Sequence, residues 1–150
     1  VDFSIASECA ARGLDPTVPG PALDAVVAEV GRFWAPPSDD PATPPPHSTG
    51  GAVDLTLADA DGTLLAMGSA IDAIGAVSEP DHFLGLAASA NGGEQECYQL
   101  WHERRCLLRS ALHAAGFAQH PNEWWHFSHG DQLWAWRTGQ ATAIYGRSGC

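Results

Sequence analysis

The stretch "PPPHSTGGAVDLTL", residues 44–57, predicts a strand that follows a proline-stiffened loop and a pair of glycines. Apolar and polar residues alternate in its second half, as on a half-buried strand. The two faces of this strand are Ala52, Asp54 and Thr56, and Val53, Leu55 and Leu57. Aspartate is disfavoured in strands, and a carboxylate packed against a core needs a partner. Either a cation lies beside Asp54, with His47 seven residues earlier in contact with it, or the segment is an ordinary turn and strand.

Around this strand the sequence predicts an α+β fold, in which a small, mainly antiparallel sheet packs with helices. A turn at "ADADG" makes residues 52–68 a hairpin. The predicted helices are residues 3–12, ending at Gly13, residues 21–34, opened by Pro21, and residues 94–115, ending at Gly116. The further predicted strands are residues 124–127, 133–137 and 141–145, and the predicted loops are residues 35–46 and 69–93. One domain over residues 1–150 is expected, because no independent second core follows the proline-rich loop.

The charge and hydropathy of the chain exclude some classes of partner. Its 18 acidic and 7 basic residues give a formal net charge of −11. Phosphate recognition depends on clustered lysine and arginine, so we expect neither a nucleic-acid partner nor an anionic membrane surface. The sequence contains no run of 18 apolar residues, so no membrane span is predicted.

Two segments offer side chains for a metal site. A catalytic zinc ion takes three protein ligands and keeps one open position. His47 and Asp54 come from the first segment, and "NEWWHF" offers Glu123 and His126. Glu123 has the opposite strand parity to His126, so it reaches the same site only from a bend before the strand. The preceding Pro-Asn pair favours such a turn.

Each of these segments, taken alone, is more often structural than functional. The other histidines are His82, His102, His113, His120 and His129. "HERRC" is expected to be a solvated helix face, since Cys106 stands where an H-E-x-x-H motif needs its second histidine. His120 and His129 flank the second segment, and a structural role is favoured over support of the ligands. Trp124 and Trp125 are expected to build the core and a pocket wall.

The two segments together resemble the zinc D,D-peptidases, which include D-alanyl-D-alanine dipeptidases and D,D-carboxypeptidases. The pattern is H-x-x-G-x-A-x-D from His47 to Asp54, followed by E-x-x-H from Glu123 to His126. "HSTGGAVDLTL", "MGSAID" and "EWWHF" are most similar to the dipeptidase branch. The resemblance runs from about residue 44 to the end of the chain.

The resemblance implies a role for each matching residue. One zinc ion per chain, on the sheet, would be bound by His47, Asp54 and His126. Glu123 would be the general base, since a carboxylate just outside the metal shell can take a proton from a water whose pKa zinc lowers towards 7. Asp72, in "MGSAID", would pair with the free α-amino group of a dipeptide. A loop aspartate that only makes a turn is the alternative for Asp72.

The chain departs from the family pattern at two points. The family often carries serine two residues before the first histidine, where this chain has Pro45. The dipeptidases also carry a Tyr-Arg-Pro segment some 45 residues before that histidine, whose arginine stabilises the oxyanion; this sequence contains no such segment. The chain also begins without an initiator methionine or a signal-like segment. We therefore expect a sequence that lacks an N-terminal segment.

The function implied is zinc-dependent hydrolysis of the D-Ala-D-Ala dipeptide in cell-wall precursor metabolism. The alternatives are a D,D-carboxypeptidase or peptidoglycan endopeptidase, and a zinc-containing binding module with impaired catalysis. The second alternative follows from the missing arginine, because losing one oxyanion donor costs about 10² to 10³ in rate. The compartment stays open between bacterial cytoplasm and periplasm, and so does the oligomeric state.

Overall fold

A computed structural model of the chain describes residues 3–33 and 38–149. The chain divides into two compact units, with the boundary after residue 36. The single domain over residues 1–150 stays a prediction.

The first unit contains two helices, α1 (Phe3–Ala11) and α2 (Pro21–Val30). Gly13 follows α1 with a φ of 66°, a left-handed conformation that glycine adopts without strain. Pro21 lies in the first turn of α2, where no backbone N–H is needed. Both predicted helices are confirmed, but α2 ends at Val30; the predicted end at Trp34 lies outside the described residues.

The second unit contains a three-stranded antiparallel sheet, which confirms the predicted α+β class. Its strands are β1 (Ala52–Asp54), β2 (Ala118–Gln119) and β3 (His126–Ser128), in the order β1-β3-β2. In the register of β1 and β3, Asp54 lies directly opposite His126. Directly opposed residues have Cβ atoms about 4.5–5.5 Å apart and point to the same face. The sheet therefore brings the two segments of the sequence pattern together.

Three helices and two short helical turns complete the second unit. They are the 3-10 turns Pro46–Thr49 and Ala76–Ser78, and the helices α3 (His82–Ser89), α4 (Gly92–Ala114) and α5 (Gln132–Thr138). Helix α4 confirms the longest predicted helix, and Gly116 follows it with a φ of 88°. None of the helices in the described part of the chain is both long and apolar enough to cross a membrane.

The predicted hairpin over residues 52–68 is mostly wrong. Strand β1 ends at Asp54 and pairs with β3, and the pairing within residues 52–68 is a single bridge between Ala58 and Leu64. The backbone N–H of Leu65 donates to the carbonyl of Leu57 beside it. The local turn forms, but β1 pairs with β3, which is more distant in the sequence, and not with the residues that follow the turn.

Two further predictions are wrong because contacts made in the folded chain outweigh local propensity. Residues 69–93, predicted as a loop, contain α3 and the turn Ala76–Ser78. Residues 133–137, predicted as a strand from their aromatic content, lie in α5. The Asp131 side chain caps that helix, accepting a hydrogen bond from the Trp134 backbone N–H at 2.8 Å.

Two predicted strands are also displaced or absent. The strand predicted over residues 124–127 begins only at His126, and residues 141–145 contain no strand in the described structure. Trp124 and Trp125 are nonetheless buried core residues, as predicted. The core cluster consists of Met67, Leu108, Trp124, Trp125 and Phe127. This core lies beneath the sheet that holds His126.

Candidate metal centre

The short turn Pro46–Thr49 carries His47 to the edge of the sheet. Gly50 ends the turn with a φ of 72°, in the left-handed region that favours glycine. A Cβ on Gly51 would lie 2.6 Å from the backbone oxygen of His129, and the His129 N–H donates to the Gly51 carbonyl at 2.8 Å. The glycine pair therefore lets the turn close against the chain that follows β3, which places His47 beside the sheet.

Three potential ligand atoms converge at this edge. His47 Nε2 lies 3.4 Å from Asp54 Oδ1, and His126 Nδ1 lies 3.2 Å from the same oxygen. The two imidazole nitrogens are 3.1 Å apart. Ligands about 2.0–2.1 Å from a tetrahedral zinc ion are about 3.3 Å from one another. The donor types and their spacing therefore fit a zinc ion.

The group is open to solvent on one side. The side chain of His126 is 6% exposed, whereas those of His47 and Asp54 are 53% and 29% exposed. Asp54 is thus part-exposed at the rim, not packed against the core as the strand pattern suggested. An open side is what a catalytic metal needs for its substrate.

Neighbouring groups orient the two histidine rings. His126 Nε2 lies 3.3 Å from Ser128 Oγ, which leaves Nδ1 facing Asp54. The hydrogen bond that His47 donates to the Asp54 carboxylate raises the pKa of His47, and a backbone hydrogen bond at Ala52 adds a smaller contribution. Such partners fix which ring nitrogen faces a metal.

The charge of Asp54 is stabilised in place. Partial burial opposes its ionisation, but hydrogen bonds and charges from His126 and His47 outweigh burial and hold the pKa of Asp54 well below its usual range. The group therefore presents an anionic carboxylate between two imidazoles, a suitable environment for a divalent cation.

Glu123 lies at a bend before β3, as its strand parity predicted. Hydrogen bonds fix this bend from several sides. They are Gln119 Nε2 to the Trp124 carbonyl (2.8 Å), the Trp124 N–H to the Ser78 carbonyl (2.9 Å) and the Leu55 N–H to the Trp125 carbonyl (3.0 Å). The Glu123 carboxylate is thereby held with Oε2 3.5 Å from His126 Nδ1.

The environment of Glu123 favours its protonated form. The residue is 6% exposed, and burial, followed by the charges of Asp54 and Asp72, raises the pKa of Glu123 to about 8. A carboxyl group that titrates near neutral pH can both accept and return a proton.

Asp72 lies within electrostatic range of this group. Burial, followed by the charge of Asp54, raises the pKa of Asp72, and Asp72 in turn raises that of Glu123. Its φ is 63°, a left-handed conformation that is uncommon for residues other than glycine. The role of Asp72 towards a substrate amine stays a prediction.

His120 lies closer to the site than the sequence suggested. Its Nδ1 is 3.9 Å from Glu123 Oε2, and its ring centroid is 5.5 Å from that of His126. Burial, followed by the charge of His126, lowers the pKa of His120 to about 4, so it is neutral at neutral pH. The H-x-x-E spacing from His120 to Glu123 was the available signal. His129, by contrast, packs among the rings of Phe117, Trp134 and Tyr145.

A second group of potential ligands lies between α3 and α4. It consists of Asp81, His102 and Cys106, with ligand atoms within 4.8 Å of one another. Arg109 donates hydrogen bonds to Asp81 at 3.0 Å and to Cys106 at 3.3 Å. The guanidinium thus already supplies the positive charge to this second group.

The α+β fold and the His–Asp–His group beside a buried carboxylate define a candidate metal-dependent hydrolase. A family model described as D-ala-D-ala dipeptidase matches residues 8–143. The chain therefore belongs to the D-ala-D-ala dipeptidase family, which confirms the resemblance seen in the sequence.

Three relatives carry the name D-alanyl-D-alanine dipeptidase. The chain is 40% identical to that of Synechocystis sp. over 154 residues, which cover 98% of this chain and 62% of the relative. It is 35% identical to that of Escherichia coli and 39% identical to that of Enterococcus faecium, each over 82 residues and 54% of this chain. These alignments cover 36% and 35% of the two relatives. No solved structure matches the chain significantly.

Proposed function

We propose that this chain forms the zinc site of a dipeptidase that hydrolyses D-Ala-D-Ala in cell-wall precursor metabolism. One observation carries the proposal: the pairing of β1 with β3 places His47 Nε2, Asp54 Oδ1 and His126 Nδ1 3.1–3.4 Å apart. Family membership and the names of three relatives support it. The activity is proposed because the chain spans 62% of the Synechocystis relative.

His47, Asp54 and His126 would hold one zinc ion per chain. When bound, zinc supplies a Lewis acid that polarises the scissile carbonyl and lowers the pKa of water. The exposed sides of His47 and Asp54 leave room for the substrate, while the buried His126 anchors the site to the sheet.

Glu123 would act as general base and then as general acid. It would accept a proton as water attacks the peptide carbonyl and deliver it to the leaving amine, so that one water and one D-Ala-D-Ala yield two D-alanine molecules. Its burial and its fixed bend hold the carboxylate beside His126. Asp72 would pair with the free α-ammonium group and so restrict the substrate to a dipeptide.

The substrate class is tested by comparing free D-Ala-D-Ala with a longer wall peptide that ends in D-Ala-D-Ala. A dipeptidase cleaves the free dipeptide faster, because only it brings an ammonium group to Asp72. Faster cleavage of the longer peptide would show a D,D-carboxypeptidase or endopeptidase. Stoichiometric zinc with cleavage of neither substrate would show a binding module.

A further inference from the structure

Arg105, on α4, is a buried cation outside the metal centre. It is 1% exposed, and burial lowers the pKa of Arg105 to about 10, so the guanidinium stays protonated at neutral pH. A buried charge is costly unless its N–H groups find acceptors. The acceptors are the carbonyls of Met67 (2.9 Å), Glu79 (2.9 Å) and Val77 (3.0 Å), and the hydroxyl of Ser69 (3.3 Å).

These acceptors lie at the two ends of one segment, residues 67–79, and Asp72 lies between them. Met67 and Ser69 are at its start, and Val77 and Glu79 at its end. A single side chain therefore ties both ends of the segment to α4. The left-handed conformation of Asp72 is uncommon for a residue with a side chain, and the ties at both ends of the segment help to hold it.

The same guanidinium also contacts the bend that carries Glu123. Its Cζ lies 5.1 Å from the ring centroid of Trp124 and 4.7 Å from that of Phe83. Trp124 Nε1 donates to Ser69 Oγ at 2.9 Å, and the Trp124 N–H donates to the Ser78 carbonyl. The Asp72 segment and the Glu123 bend are thus fixed to each other around Arg105.

At the start of the segment the backbone at Gly68 packs so closely against the Phe83 ring that no side chain fits between them. Gly68 has a φ of 87°, and a Cβ there would lie 2.2 Å from the Phe83 ring. The chain therefore passes directly over the ring that covers the guanidinium. Lysine could not replace the arginine fork, because its donors all sit on one nitrogen and cannot reach both ends of the segment.

We propose that Arg105 is a positioning residue that fixes Asp72 at a set distance from the metal centre and so selects substrates by the place of their amino group. The proposal rests on the proposed function, in which Asp72 binds the substrate ammonium. Arg105 acts through Asp72 and does not touch the substrate.

The test is Arg105→Lys, with Arg104→Lys as matched control. Arg104 is adjacent and only half-buried, and donates at 2.8 Å to the Ala66 carbonyl, just before the segment. We expect Arg105→Lys to raise KM for D-Ala-D-Ala about tenfold and to change kcat by no more than about threefold. The contact between Asp72 and the ammonium group stabilises the bound substrate and the transition state equally, and losing such a contact raises KM alone. Zinc content should stay unchanged, and Arg104→Lys should alter neither constant by more than about twofold.

A double-mutant cycle separates positioning from a general structural role. Asp72→Asn removes the charge through which Arg105 would act. In that background Arg105→Lys should add little to KM, since coupled residues are not additive. Fully multiplicative effects of the two substitutions would overturn the proposal.

Hydrogen exchange gives a readout that needs no activity. Arg105→Lys should speed amide exchange in residues 67–79 and at the Trp124 amide, which bonds to this segment, and leave helix α5 (Gln132–Thr138) unchanged. If the wild type cleaves neither substrate, the proposed function is refuted. Hydrogen exchange still tests whether Arg105 fixes residues 67–79, because unchanged exchange in this segment would overturn that positioning role. If Arg105→Lys does not fold, Ser69→Ala is used instead, because it removes one hydrogen-bond acceptor of Arg105. A smaller rise in KM with faster exchange in residues 67–79 would support the positioning role of Arg105. Unchanged KM and exchange would overturn it.

Discussion

Within the described residues, two groups of three potential metal ligands lie in the second unit, and they differ in what supplies the positive charge. In the group of Asp81, His102 and Cys106, the guanidinium of Arg109 contacts both the carboxylate and the sulfur. In the group of His47, Asp54 and His126, the contacts that the described residues make to the carboxylate come from imidazoles. In both groups the potential ligand atoms lie within 4.8 Å of one another, so such proximity alone does not define a metal site. A site also needs a charge that the protein itself leaves unbalanced.

The largest expected effect is the loss of zinc from Asp54→Ala. Asp54 contributes the only anionic ligand of the proposed three, so zinc content should fall from about one ion per chain to a small fraction of that. Asp81→Ala is the matched control, and metal analysis should show it unchanged. Full zinc occupancy in Asp54→Ala, or loss of zinc from Asp81→Ala, would show that His47, Asp54 and His126 are not the zinc site.

A smaller effect is expected from Ser128→Ala. The Ser128 hydroxyl lies 3.3 Å from His126 Nε2 and holds the ring with Nδ1 towards Asp54. Loss of such a supporting partner typically weakens metal binding about 10- to 100-fold. Competition with a chelator measures this affinity. Ser89→Ala, on α3, is the control, and equal affinities in the two variants would show that Ser128 does not orient the ligand.

The smallest expected effect comes from Arg109→Gln, which removes the charge from the second group. The variant should bind a second zinc ion more weakly than the first, because Asp81, His102 and Cys106 then lack a cation. Calorimetric titration would show a second binding step, absent from wild type and from Arg137→Gln. A single step in Arg109→Gln would mean that charge is not what distinguishes the two groups.

His47, Asp54 and His126, which the sequence grouped, lie together in the structure because the pattern depends on local stereochemistry; their role as zinc ligands stays a prediction. The glycine pair after His47, the alternation around Asp54 and the bend before His126 are each visible in a few consecutive residues. That the two segments lie together was predicted from the family resemblance alone. The register of β1 and β3 is the physical reason that they do.

Other features depended on contacts that no local pattern reveals. The predicted hairpin over residues 52–68 does not form because β1 pairs instead with β3, some 70 residues away. The segment "QLWAWRT" forms helix α5, which the Asp131 side chain caps. The position of His120 against Glu123 depends on burial. Arg105 looked like one cation of a solvated face, whereas it is 1% exposed. Helical spacing alone cannot tell which charged residue faces inward.

The proposed mechanism is tested most directly by measuring zinc content and turnover of D-Ala-D-Ala on the same sample of Glu123→Gln. Glutamine keeps the size and hydrogen bonding of the side chain but cannot accept a proton. We expect about one zinc ion per chain, unchanged folding and a fall in kcat of about 10² to 10⁴, the contribution of a general base. Loss of zinc would make Glu123 a ligand, and retained turnover would remove it as the base; either result would contradict the proposed mechanism.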